Sequence, residues 1–125
     1  MIHLALLVLE ERLAVARLAA DADVPAWARG TFTSITRSEE ELSIVCDDRS
    51  VPDDVPAERG WRVLKVRVPI PFETTGVAAA LVSPLAAAGI SVFLISTFDT
   101  DYLLVKEFRF EEALATLRAC GHSAT

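Results

Sequence analysis

The sequence has few of the residues from which catalytic and metal centres are built. Its 125 residues include two histidines, two cysteines and five glycines. His3 and His122 stand near opposite ends of the chain, where we expect solvated surface residues, so a catalytic triad with a histidine base is disfavoured. Cys46 and Cys120 are far apart and match no zinc-ligand spacing. We expect two reduced thiols in a cytosolic protein, with a disulfide as the open alternative.

Positive charge is also scarce. The chain has 12 Lys and Arg against 18 Asp and Glu, for a net charge of -6. This balance disfavours binding to nucleic acids and to anionic membranes. The apolar start, Met1–Leu9, lacks the basic residues of a signal peptide. The uncharged run Val77–Phe98 is long enough to span a bilayer, but Pro84 and Gly89 interrupt it. We interpret it as a buried helix followed by a buried strand.

Apolar residues make up 52% of the chain and charged residues 24%, which is typical of a globular protein. The second half has the clearer pattern. Residues of Trp61–Ile70 alternate as in a strand, and an alanine-rich helix follows Thr75 and ends at Gly89. The remaining predicted elements are strands over Ser91–Phe98 and Tyr102–Lys106 and a helix over Phe110–Ala119. The predicted order is β-α-β-β-α.

The apolar pattern of the first half predicts a set of strands similar to that of the second half. These are Leu4–Leu9, Arg12–Leu18, Thr31–Arg37 and Leu42–Cys46. A helix over Glu10–Ala20 is the alternative for the second of them, since its residue types also favour helix. Pro25 fits the first turn of a short helix. When Phe32 is aligned with Phe93, the later strands of the two halves coincide. This match predicts a duplication whose first copy has a shorter helix.

Two short segments could carry a binding site. Phe72–Val77 precedes the alanine-rich helix, whose free N–H groups suit a carboxylate, although threonine capping explains the same residues. Ser96–Tyr102 places hydroxyls, carboxylates and aromatic rings at a hairpin, although simple turn chemistry is the alternative. By contrast, the acidic pairs Asp47 with Asp48 and Asp53 with Asp54 are expected to be solvated charges. No metal-binding motif or cofactor loop is present, so no metal and no cofactor is predicted.

The segment Gly89–Glu107, GISVFLISTFDTDYLLVKE, resembles the hallmark of ACT domains of the CASTOR-like type. Phe32–Arg37 and Glu41–Cys46 are similar to the first half of that family. The resemblance implies an α+β fold of tandem ferredoxin-like β-α-β-β-α-β units, over residues 1–60 with a truncated helix and over residues 61–125. The final strand of the second unit is hard to find after Gly121. We infer that Leu4–Leu9 supplies it.

The resemblance also implies a ligand site formed by the loop before the helix, the strand after it and an aspartate of the hairpin. The predicted ligand-binding residues are Glu73, Thr74, Thr75, Gly76, Val77, Ser91, Val92, Asp99 and Asp101. Which of the two hairpin aspartates would contact the ligand stays open.

The function that the resemblance implies is regulatory rather than catalytic. We expect a cytoplasmic homodimer that binds a small-molecule effector, an amino acid, and acts through a protein partner. Arginine is one candidate among several. The alternative is a ligand-free scaffold for dimerisation or protein interaction. An enzyme is disfavoured because no catalytic constellation is apparent.

Overall fold

The structure, a computed structural model, describes residues 2–68, 70 and 74–125. The described residues form eight strands and two α-helices. In chain order they are β1 (Ala5–Val8), β2 (Leu13–Leu18), β3 (Ser34–Arg37), β4 (Leu42–Asp47), β5 (Ala57–Val66), α1 (Val77–Ala87), β6 (Val92–Ser96), β7 (Asp101–Lys106), α2 (Phe110–Ala119) and β8 (Ser123–Ala124). The chain divides into two compact units, one over Glu11–Trp61 and the other over Arg62–Thr125 with the residues up to Glu10.

The unit that includes the C-terminal half has the strand order β6-β7-β5-β1-β8. In it, β1 lies antiparallel to β5 and parallel to β8. The inferred role of the segment Leu4–Leu9 is therefore confirmed, because β1 pairs with the first strand of the unit where a fourth ferredoxin-like strand belongs. The sequence did not predict β8. Its two residues, Ser123–Ala124, pair with β1 and form the edge of the sheet. The predicted α+β, ferredoxin-like fold class is confirmed.

Both helices of this unit bury one face against its sheet. In α1, Val77, Leu81 and Leu85 recur four residues apart and are all buried. The buried residues of α2 are Phe110, Ala113, Leu114 and Leu117, which also share one helix face. They pack with the sheet residues Leu6, Leu64, Val66, Leu103 and Val105 in one apolar core. This core fixes the start of α1 and the β6–β7 hairpin in place.

Both helices end where the sequence predicts, because each is followed by a glycine in a left-handed conformation. Gly89 has φ +72° and Gly121 has φ +96°. After each glycine the backbone turns back, so that Ile90 N–H donates to Leu85 O and His122 N–H donates to Leu117 O.

The unit over residues 11–61 has the strand order β3-β4-β2-β5, with antiparallel neighbours. The strand alternative for Arg12–Leu18 is confirmed, and the helix over Glu10–Ala20 is wrong. Alternating residues of β2 and β4 pack with the half-buried Trp27 in a separate core. The short helix predicted near Pro25 is wrong, since residues 19–33 contain turns and irregular backbone but no helix. That each unit is an ACT-like domain stays a prediction.

Candidate functional site

A cavity of about 280 Å³ lies where the start of α1 meets the β6–β7 hairpin. Its described lining residues are Ile70, Thr74, Gly76, Val77, Ala78, Ser96, Thr97, Phe98, Asp99, Thr100 and Asp101. Described residues from both of the segments that the sequence analysis selected for their chemistry thus face one space. All of these residues belong to the unit that contains the C-terminal half.

The hairpin is held in a tight turn by its own threonines. Thr97 N–H donates to Thr100 O over 2.8 Å, and Thr100 N–H donates to Thr97 Oγ1 over 3.3 Å. Ser96 pairs with Asp101 across the strands. The turn therefore fixes the backbone of Asp99 and Asp101 at the cavity. The turn chemistry weighed for this segment is present, and it serves to position the carboxylates.

Thr100 also ties the hairpin to the neighbouring strand. Its side chain is only 5% exposed, and its hydroxyl donates to Val66 O over 2.6 Å. Since Val66 ends β5, the hairpin is held against the strand that precedes the loop to α1. Thr100 was not among the predicted site residues, although its presence in a hydroxyl-rich hairpin was the available signal.

The start of α1 is open towards the cavity. Gly76 precedes the helix with φ +83°, and no side chain of the described residues caps it. Apart from its chain neighbours, no described atom lies within 4 Å of the position where a Cβ would stand. The first-turn N–H groups of a helix have no partner within the helix. No acidic residue occupies the first turn of α1. The threonine capping weighed as an alternative is therefore absent at Gly76.

The described lining is negatively charged. Asp99 and Asp101 supply two carboxylates, and none of the described lining residues is cationic. Hydroxyl groups of Thr74, Ser96 and Thr97 add neutral donors and acceptors. Phe98, 82% exposed, gives the cavity an aromatic rim. The arrangement can accept hydrogen bonds from a cationic group while the helix start offers N–H donors.

The structure brings together part of the predicted site. Thr74, Gly76, Val77, Asp99 and Asp101 line the cavity, whereas Thr75 is exposed beside it and does not. Two further predicted residues are Ser91, which is exposed, and Val92, which pairs with Val105 at the other end of β6. They do not line the cavity of this chain. Glu73 lies outside the described residues.

One of the four residues in the acidic pairs elsewhere differs from the prediction of solvated charges. Asp47 accepts hydrogen bonds from the side chain and backbone N–H of Arg49, which hold the pKa of this carboxyl below its usual value. Asp48 pairs with Arg59 over 3.1 Å and accepts from Gly60 N–H over 2.7 Å. The prediction is therefore wrong for Asp48, on which the loop folds back, whereas Asp47 stays at the surface in an ion pair with the exposed Arg49. Asp53 and Asp54 are exposed, as predicted.

Cys46 and Cys120 are both free, as expected, whereas the cytosolic setting stays a prediction. Burial raises the pKa of the Cys46 thiol. Across residues 2–68, 70 and 74–125, no group of three or more His, Cys, Asp or Glu side chains could hold a metal ion. In the same part of the chain, no helix has the length and hydropathy that crossing a bilayer requires. His3 is exposed as predicted, whereas His122 is buried.

Two family models match parts of the chain. A family model described as the ACT domain matches residues 57–119, which include α1 and the β6–β7 hairpin. A second model, of an N-terminal domain family, matches residues 11–54.

Named relatives and solved structures agree with that match. The chain is 30% identical over 105 residues to the bovine (Bos taurus) cytosolic arginine sensor for mTORC1 subunit 1, covering 75% of this chain and 32% of the relative. The chain therefore spans about a third of the length of the curated relatives it matches. A crystallised protein of Agobacterium tumefaciens is 40% identical, with a TM-score of 0.95 over 100% of this chain and 94% of its own. The aspartate kinase of Clostridium acetobutylicum shares the fold at 11% identity, with a TM-score of 0.66 over 89% of this chain and 33% of the enzyme.

Proposed function

Because the chain belongs to the ACT-domain family, we propose that it is a non-catalytic regulatory protein that binds an amino acid in the cavity between α1 and the β6–β7 hairpin. The observation that carries the proposal is the meeting of an uncapped helix start with two carboxylates in one cavity. These are the complementary groups that the two ends of an amino acid require.

The proposed chemistry assigns one end of the ligand to each wall. The N–H groups at the start of α1 would bind the α-carboxylate, since a helix N-terminus carries partial positive charge. Asp99 or Asp101 would accept hydrogen bonds from the α-ammonium. A cavity of about 280 Å³ is near the lower end of ligand-pocket sizes, which suits a single amino acid.

The relatives support an amino acid as the ligand class. One is named a cytosolic arginine sensor, and the negative lining of the cavity here suits a ligand with a second cationic group. Arginine is therefore one candidate, in the cytoplasmic setting that the sequence predicts. We propose that this chain acts through a protein partner, which the name of the relative, a sensor for mTORC1, supports.

We propose further that the protein is a homodimer. The helix α1 has no charged side chain, and its alanines 78, 79, 86 and 87 are exposed. A second copy would also supply another Ser91 and Val92, which in one chain lie away from the cavity. Light scattering after size-exclusion chromatography measures this directly. Twice the monomer mass of 13.6 kDa is expected, and a monomer in the presence of ligand would contradict the dimer.

The experiment that tests ligand binding is thermal unfolding in the presence of each of the twenty amino acids. A ligand at about 100 times its dissociation constant stabilises the fold by roughly 2.7 kcal/mol, which raises the midpoint by roughly 10 °C. Asp99→Asn and Asp101→Asn keep the side-chain shape and remove the charge. Loss of one charge-assisted hydrogen bond should weaken binding by roughly ten- to a hundredfold in at least one of them.

Asp53→Asn is the matched control, because it removes an exposed carboxylate from the other unit. Glu73→Gln tests the predicted loop residue that lies outside the described part. If no amino acid shifts the midpoint, the scaffold alternative is favoured. If a ligand binds equally well to both cavity variants, it binds elsewhere.

A further inference from the structure

His122 is buried, with 4% of its surface exposed, and both of its ring nitrogens have partners. Leu4 N–H donates to Nδ1 over 3.0 Å, and Nε2 lies 3.1 Å from Ala80 O. A peptide N–H can only donate, so Nδ1 must be unprotonated. The neutral ring therefore carries its hydrogen on Nε2 and donates it to Ala80. The partners alone define one tautomer.

Pro84 explains why the carbonyl of Ala80 needs a donor from outside the helix. In an α-helix this carbonyl would accept from the N–H four residues later, but Pro84 stands there and has none. His122 Nε2–H takes that place. The ring thus bridges α1 and the stretch before β1, and it satisfies a backbone group on each.

We propose that His122 is a pH-sensitive clasp that holds the N-terminal stretch, residues 2–8, on its unit: the clasp is closed when the ring is neutral and opens when the ring takes a proton. A proton added at Nδ1 points at Leu4 N–H, so two donors face each other and that hydrogen bond is lost. The bond from Nε2 to Ala80 survives in both states. Protonation therefore acts on the β1 side of the ring.

The elements packed around the ring of His122 carry few charged groups. The residues of α1 and β1 include no Asp, Glu, Lys, Arg or His. Next to Leu4 stands His3, whose ring lies against Gly121. On α2, Glu111 and Glu112 lie in the first turn, remote from the end that precedes His122, and Arg118 in the last turn donates to Ala124 O.

The clasp matters because β1 is a central strand held by few residues. Its four residues lie between β5 and β8. Beside the clasp, Ser123 N–H donates to Leu4 O over 3.0 Å. Opening at Leu4 therefore loosens the end at which β1 begins and the pairing of β8 next to it. The inference concerns the fold of this unit and holds whether or not the cavity binds an amino acid.

The test compares thermal midpoints from about pH 8 to about pH 5, the range in which histidine titrates. His122→Asn retains an acceptor near the Nδ1 position and cannot titrate. The chain has two histidines, so His3→Gln is the matched control. From about pH 8 to about pH 5, the thermal midpoints of the wild type and of His3→Gln should fall by several degrees more than that of His122→Asn. An equal loss in all three proteins, or one abolished by His3→Gln, would overturn the proposal.

A second measurement needs no variant and covers the case in which His122→Asn does not fold. Amide hydrogen exchange of the wild type, corrected for intrinsic rates, should show that Leu4 loses protection by at least about tenfold on acidification. Amides of β2, in the other unit, should keep theirs. Ring ¹⁵N shifts at about pH 8 should report the Nε2–H tautomer. The opposite tautomer, or constant protection at Leu4, would refute the clasp.

Discussion

The hydroxyl of Thr100 donates a 2.6 Å hydrogen bond to the carbonyl oxygen of Val66. This bond joins the hairpin that carries Asp99 and Asp101 to the end of β5, from which the chain leads to α1. Thr100, which also lines the cavity, therefore links the hairpin wall to β5. The bond holds the hairpin that carries the two carboxylates against its neighbouring strand.

Replacing Thr100 with Val should remove this link while keeping the shape of the side chain. The carbonyl of Val66 would lose its buried donor, so we expect a loss of about 1–3 kcal/mol in the free energy of unfolding. Urea denaturation measures it. Thr100→Ser is the control, since it retains the hydroxyl. A Val variant as stable as the Ser variant would show that the hydrogen bond contributes nothing.

The two thiols should differ in reactivity. Cys46 is fully buried and its pKa is raised by burial, so little thiolate is present at neutral pH, whereas Cys120 is partly exposed. Mass spectrometry after brief alkylation should find Cys120 modified first, by at least about a hundredfold in rate, because Cys46 reacts only when its unit opens. In the Cys120→Ser variant, only the slow alkylation of Cys46 should remain. Equal rates at the two positions would contradict the described packing.

Asp47 should contribute an acid-sensitive increment of stability. Hydrogen bonds from Arg49 lower the pKa of Asp47 in the folded protein, so this contribution is present above the unfolded value, about 3.9, and is lost as the pH falls through the folded value. Because the pair lies at the surface, Asp47→Asn should cost less than about 1 kcal/mol at neutral pH. The difference between Asp47→Asn and the wild type in the free energy of unfolding, measured in urea, should vanish at about pH 2. Asp54→Asn should show no such difference at either pH, and a cost that persists in acid would rule out the ionic origin.

Pro84 and His122 should be energetically coupled, since Pro84 leaves Ala80 O for the histidine ring. Pro84→Ala returns a helical N–H to that carbonyl. The cost of His122→Asn should therefore fall by about 1 kcal/mol in the Pro84→Ala background. A double-mutant cycle in urea measures the coupling. Strictly additive effects would show that the ring does not replace the missing helical donor.

Much of the C-terminal half could be predicted from the sequence because its elements have local signatures. The helix Phe110–Ala119 has its predicted bounds. The alternation in Trp61–Ile70 predicted β5, and the glycine after α1 predicted the end of that helix, each to within a few residues of the observed bounds. The same holds for part of the cavity, because most of its described hydroxyls and both of its described carboxylates lie within Ser96–Asp101. Local propensity was less decisive for Arg12–Leu18, where pairing with β4 selects strand over helix.

The features that the sequence did not reveal depend on long-range contacts. Whether the terminal His122 is buried is decided by Leu4 and Ala80, which lie far away in the chain. Likewise, β8 is a strand only because β1 lies beside it. Asp48 has no local signal for its pairing with Arg59 across the loop. No residue pattern within a short window contains this information.

The central claim is that an amino acid binds between the start of α1 and the β6–β7 hairpin. It is tested most directly by two-dimensional NMR of the ¹⁵N-labelled protein, titrated with the amino acid that stabilises it most. The account predicts that the amide resonances of residues 76–78 and 97–101 shift in a saturable way, while those of Leu13–Leu18 do not. Shifts confined to the unit over residues 11–61, or no saturable shift in either segment of the cavity, would contradict it.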